Sequence, residues 1–117
     1  MREQLVKQDP ENTDYLRNLG DAYERRGSLL KSRGDMDAAM ADYEVGLQIS
    51  ERLAAMDPAH ANWQRDLANS YAKMGGLLNS MGRPTLALTP LRRSLAIVEG
   101  LVQKDPGNPG WQRSMGL

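Results

Sequence analysis

An all-α fold built from repeated helical hairpins is what this sequence predicts, on three observations. Asp-Pro recurs at 9, 57 and 105, an aromatic at Tyr15, Trp63 and Trp111, and Arg at 17, 65 and 113, each set 48 residues apart. A fixed period of about 20–50 residues marks a repeat array. Within each copy the apolar residues fall at helical spacing, and no segment sustains strand-like alternation between hairpin turns. The copies divide one domain, 1–117, into a partial unit at 1–8, repeat one at 9–56, repeat two at 57–104 and a partial third unit at 105–117.

Residues 1–8 read as the tail of a helix, with Leu5 at the offset of Leu53 and Leu101. Asp9-Pro10 disfavours helical geometry at Asp9 and ends that segment. Asn12 is the expected N-cap of the next helix, because its side-chain oxygen can accept from a free amide of the first turn. Asn108 holds the same place in the third copy, followed by Pro109. From about Thr13 to Arg33, Tyr15, Leu16, Leu19, Tyr23, Leu29 and Leu30 mark a buried face, repeated by Trp63, Leu67, Tyr71, Leu77 and Leu78. Gly34 and Gly82 stand where a left-handed residue ends a helix. Gly27 and Gly75 fall inside it, where glycine costs about 1 kcal/mol relative to Ala, a loss that close approach of a neighbouring helix would offset.

Asp35 is placed to cap the second helix of repeat one, and Pro84 to open that of repeat two. Ala38, Ala39, Tyr43, Leu47, Ile49 and Leu53 predict its buried face, echoed by Leu86, Ala87, Leu91, Leu95, Ile97 and Leu101. Pro90 lies within this second helix of repeat two. A proline there removes a hydrogen bond and kinks the helix, unless Thr89 caps a helix that starts only at Pro90. A kinked or interrupted helix is the expectation. At the ends, Leu5, Trp111 and Met115 are expected to pack as partial caps or to be covered by another copy, since uncovered repeat ends favour association.

These residues resemble the tetratricopeptide repeat. Leu19, Gly20 and Tyr23, and again Leu67, Ala68 and Tyr71, have the spacing of that family's first-helix leucine, small residue and tyrosine. Ala39, Tyr43 and Gly46 match its second-helix alanine, aromatic and small residue, with Ala87, Leu91 and Ser94 as their echo, and Pro58 and Pro106 stand where its proline closes a unit. The resemblance implies a superhelical stack of antiparallel helix hairpins, a TPR-like α-solenoid. The family period is about 34 residues. The excess here places seven residues, nearly two turns, in each helix, so each extension keeps its apolar face in register.

The bulk composition narrows the functional classes. Of 117 residues, 40% are apolar and 26% charged, which is ordinary for a folded domain. Fifteen basic side chains balance fifteen acidic ones, so no overall field draws the chain to nucleic acid or to an anionic membrane. With no cysteine, no signal-peptide core and no membrane span, a cytoplasmic protein is expected.

No catalytic constellation stands out, so the chain is not expected to be an enzyme, nor to use a cofactor or metal. His60 is the only histidine and sits at the offset of Asn12, so a capping or solvent-exposed role is expected of it, not that of a ligand or general base. Trp63 and Trp111 are expected in the core between helices. The carboxylates are expected scattered over helix surfaces, with no acid/base pair.

One polar stripe goes further. Asp14, Arg17, Asp21, Glu24 and Ser28 share a face at spacings of three and four, repeated as Asn62, Arg65, Asn69, Ala72 and Gly76, with Arg113 added by the third copy. Arg17 is expected to pair with Asp14, Asp21 and Glu24 in its own helix. Arg65 has Asn62 and Asn69 at those spacings, with Lys73 nearby. The stripe is either a solvated polar face or a binding surface. The family resemblance implies that first helices line a concave face, and Arg65 and Asn69 fit part of the Lys/Arg/Asn clamp with which some members hold a peptide's terminal carboxylate. Ser114 stands where a further Asn belongs. The expected function is therefore non-catalytic binding of a protein or peptide segment, acidic or C-terminal, by Arg17, Asp21, Asn62, Arg65, Asn69, Lys73 and Arg113. The alternative is structural: self-association or array building through the open repeat ends.

Overall fold

The computed structural model describes residues 10–104, and the expectations for Leu5, Asn108, Trp111, Arg113, Ser114 and Met115 lie outside them. Four helices run in order: α1 Pro10–Ser32, α2 Met36–Met56, α3 Ala61–Ser80 and α4 Pro84–Lys104. Among the described residues there is no strand. No helix there is long and apolar enough to cross a membrane.

Helix ends follow local chemistry. Gly34 and Gly82 have φ of +88° and +77°, a conformation glycine adopts without steric penalty. Around each, two backbone bonds close the helix. Asp35 N–H donates to the Leu30 carbonyl (2.9 Å) and Gly34 N–H to that of Lys31 (3.0 Å), and Arg83 and Gly82 do the same to Leu78 and Asn79. This is the Schellman arrangement, and it turns each hairpin within three residues. Asp35 occupies the N-cap of α2, but its side chain makes no capping hydrogen bond.

The other caps differ from expectation in one case. Helix α1 already begins at Pro10, whose fixed φ suits the first helical position, so Asn12 lies inside the helix and is not its cap. In the second repeat Asp57 instead makes a turn, accepting from Ala59 N–H (3.2 Å). His60 then caps α3, its Nδ1 accepting from Trp63 N–H at 3.3 Å, with the two rings stacked 4.0 Å apart at 7°. Helix α4 starts at Pro84 and runs unbroken through Pro90 to Lys104. The interrupted form is thereby excluded, and residues 84–88 belong to the same helix.

Helices pack in chain order, α1 on α2, α2 on α3 and α3 on α4. Gly20 meets Ile49 and Gly27 meets Tyr43 and Ala39, so α1 and α2 are antiparallel. Gly75 meets Leu91 and Ala87, and Arg93 lies over the Tyr71 ring, 5.7 Å from its centroid, so α3 and α4 are antiparallel too. At Gly27 and Gly75 a Cβ would come within 2.7 Å of Tyr43 and 2.5 Å of Leu91, which is why each long helix carries glycine at its crossing. Ala39, Tyr43, Met74 and Leu77 form the core cluster, flanked by Leu30, Met36, Met40, Leu47, Leu78 and Met81.

The expected buried faces are too wide. Tyr15 is 63% exposed, Leu29 51%, Leu86 59% and Leu95 49%, and Ala38 is exposed as well. Ala38 and Leu86 occupy the same repeat position and face solvent in both units. Tyr15, Leu29 and Leu95 lie on faces of α1 and α4 that no described helix covers. Trp63 is half-buried, part of a cap more than of a core.

Two carboxylates expected at the surface are buried, Glu24 at 7% and Asp42 at 5% exposure. Arg26 forks onto Asp42 through Nε and Nη2, both at 2.7 Å. The hydrogen bonds from Arg26 hold the Asp42 carboxyl below the usual carboxylate range against the opposing effect of burial. A depressed folded pKa adds stability above the unfolded value of about 3.9 and loses it as pH falls through the folded value. Asp42→Asn should therefore be less stable than the parent at neutral pH, and the difference should shrink below about pH 4. Denaturant melts across that range test this; a difference independent of pH would contradict it.

Candidate functional site

Helices α1 and α3 do not adjoin in sequence, yet they lie side by side and parallel. Arg17 of α1 reaches Asp66 of α3, and Glu24 reaches Ser70 and Lys73. Between them, over α2, lies a cavity of about 270 Å³. Ile49, Ser50 and Leu53 form its floor, Arg17, Asn18, Gly20, Asp21 and Glu24 one wall, and Asp66, Asn69 and Lys73 the other.

A chain of polar contacts ties the three helices together. Lys73 Nζ donates to Glu24 Oε1 at 3.1 Å, Ser70 Oγ donates to Glu24 Oε2, and Ser50 and Ser70 hydroxyls lie 2.9 Å apart. Because an ionised carboxylate only accepts, the Ser70 proton points to Glu24, and Ser50 must donate to Ser70. Gly46 makes this possible: a Cβ there would lie 2.5 Å from Glu24 Cγ. Glu24 thus leaves the exposed stripe on which its spacing placed it.

At one end of the cavity Arg17 Nε donates to Asp66 Oδ2 at 2.6 Å, with Nη2 3.3 Å from Oδ1. The expected pairing of Arg17 with Asp14, Asp21 and Glu24 is replaced by this contact between repeats, while Asp21 pairs with Arg25 at 2.8 Å one turn on. The charges of the cavity are therefore largely matched internally. It offers Asn18 and Asn69, whose amides both donate and accept, beside the cations Arg17 and Lys73.

Of the residues predicted for binding, Arg17, Asp21, Asn69 and Lys73 converge on this cavity. Asn62 and Arg65 do not line it; both are exposed, nearer the start of α3. Arg113 lies outside the described residues. Sequence reasoning missed Asn18, Ser50, Asp66 and Ser70. The one signal that finds Asp66 is its separation of 49 from Arg17, one repeat plus one residue, shared by Glu24 and Lys73.

Among the described residues no three His, Asp or Glu side chains are grouped so as to hold a metal ion. No family model, curated protein or solved structure matches this chain.

Proposed function

We propose that the chain is a non-catalytic interaction module that holds a peptide or protein segment along the face shared by α1 and α3. The convergence of Arg17, Asp21, Asn69 and Lys73 from two parallel helices on one cavity carries this reading. Asn18 and Asn69 suit the alternating donors and acceptors of a peptide backbone. The tetratricopeptide resemblance supports the same surface, since it implies a superhelical stack whose first helices form the concave side.

An acidic or C-terminal segment is the favoured partner. Arg65 lies with Asn62 and Asn69 at exposed positions of α3, where its guanidinium can meet the segment's carboxylate beside the Arg17 and Lys73 of the cavity. An Arg fork matches a carboxylate in a two-point geometry. Because this surface is open, binding should weaken with salt, screened over about 8–10 Å at ordinary ionic strength.

A display library of peptides with free C-terminal carboxylates supplies the probe. Acidic or C-terminal sequences should be enriched, and Arg65→Glu should reduce their binding at least about tenfold, the scale of a lost charge-assisted hydrogen bond. Its melting curve should stay near the parent's, as for other exposed sites. Equal binding by parent and variant, or no enrichment at all, would refute the assignment.

A further inference from the structure

Among the described residues, the large apolar side chains that remain exposed, Tyr15, Leu29, Leu86, Leu88 and Leu95, all lie on the outer helices α1 and α4. Three of them have covered counterparts one repeat away. Leu29 corresponds to Leu77, which is fully buried. Leu88 and Leu95 correspond to Met40 and Leu47, which pack on the cluster containing Leu77. The seam between α2 and α3 is where these positions meet. Its two halves recur on α4 and on α1, where none of the described residues covers them.

The α1 half has the shape of a docking site. Leu19, Ala22, Tyr23 and Arg26 line a recess of about 250 Å³. Their counterparts on α3 are Leu67, Ser70, Tyr71 and Met74, the last three buried, and it is α2 that supplies Ser50 to Ser70 and Glu51 to Tyr71.

We propose that this chain associates head to tail with a second copy, α4 of one copy packing on α1 of the next as α2 packs on α3. The side chains of the two free halves match each other. Tyr71 donates to Glu51 at 2.8 Å inside the chain; Tyr23 and the exposed Glu99 are the same pair one repeat apart on the outer helices. The polar chain Glu24–Ser70–Ser50 becomes Ala72, Ala22 and Val98, so three polar positions turn apolar together, on both sides of the new seam. Lys73, which answers Glu24, becomes Arg25, and Arg25 already has Asp21 in its own helix at 2.8 Å. No buried carboxylate or hydroxyl is left without a partner in this pairing. By contrast, Ala22 set against Ser50 would strand a hydroxyl, which is unfavourable when buried. A head-to-tail contact is heterologous and can extend to further copies.

Sedimentation velocity of the full chain over a concentration series tests this. The parent's sedimentation coefficient should rise with concentration. Leu29→Glu and Leu95→Glu, each at a half-exposed position, should remain monomeric alone, because each loses one half of the seam. An equimolar mixture of the two should form a dimer and nothing larger, because each retains the half the other lacks. Glu99→Lys, a change on an exposed side chain, should raise the concentration needed for association by up to about tenfold, the scale of one hydrogen bond, and serves if a leucine variant misfolds. A parent that stays monomeric throughout, either leucine variant associating alone, or a mixture that stays monomeric would overturn the proposal.

Discussion

Leu77→Ala should destabilise the chain by about 2–5 kcal/mol, the range for truncating a fully buried leucine. Leu77 has no exposed surface and sits in the cluster of Ala39, Tyr43 and Met74 that joins α2 to α3. Removing its isobutyl group loses burial and leaves a cavity that the long helices on either side close only in part. The denaturant midpoint should fall with little change in slope, since the surface exposed on unfolding is nearly the same. Leu29→Ala is the built-in control. It is the same residue one repeat earlier, half exposed, and its loss should stay near about 1 kcal/mol or below. Equal losses at the two positions would mean that the core is not centred on Leu77.

Gly27→Val should be the next most damaging change, by about 1–3 kcal/mol of overpacking. A Cβ at Gly27 would meet two Tyr43 ring carbons at 2.7 and 2.8 Å and the Ala39 carbonyl at 3.2 Å. The ring is held in place, only 4% exposed, with its hydroxyl 2.8 Å from Ser28 Oγ. Leaving glycine regains less than about 1 kcal/mol of helix propensity, so the clash wins. At Gly75 the obstacle is Leu91, 2.5 Å from the added Cβ, but that side chain is only half-buried and has room to turn. Gly27→Ala should therefore cost more than Gly75→Ala in equilibrium unfolding. The reverse order, or a stabilised Gly27→Ala, would remove close helix crossing as the reason for these glycines.

The hairpin turns were legible because they depend on neighbours in sequence. Gly34 and Gly82 mark the turns in both repeats, and α2 and α4 begin and end 48 residues apart. The placement of Glu24 was not legible. Its spacing puts it on a polar stripe, whereas its burial depends on Gly46, Ser70 and Lys73 from two other helices. Asp42 is the same case, since Arg26 lies 16 residues away on another helix. Apolar periodicity put Leu29 and Leu95 on buried faces, but they are half exposed, because periodicity carries no information on whether a helix covers them. At the site, spacing within one helix found Arg17, Asp21, Asn69 and Lys73. It could not find Asp66 or Ser70, whose roles arise only when two repeats are laid side by side.

Packing in chain order, from α1 through α4, also bears on how the chain forms and opens. Contacts between successive helices have short sequence separations, and such low contact order goes with folding in about microseconds to milliseconds. Each hairpin closes through a turn of three residues, so either can nucleate and hand a template to the other. Helices α2 and α3 each pack their backbones closely on two neighbours, whereas α1 and α4 each do so on one among the described residues, α1 meeting α3 through side chains. Amide protons should accordingly exchange first in the outer helices, the regions with fewest covering contacts. Opening then proceeds from the ends inward, with the α2–α3 pair the last to separate.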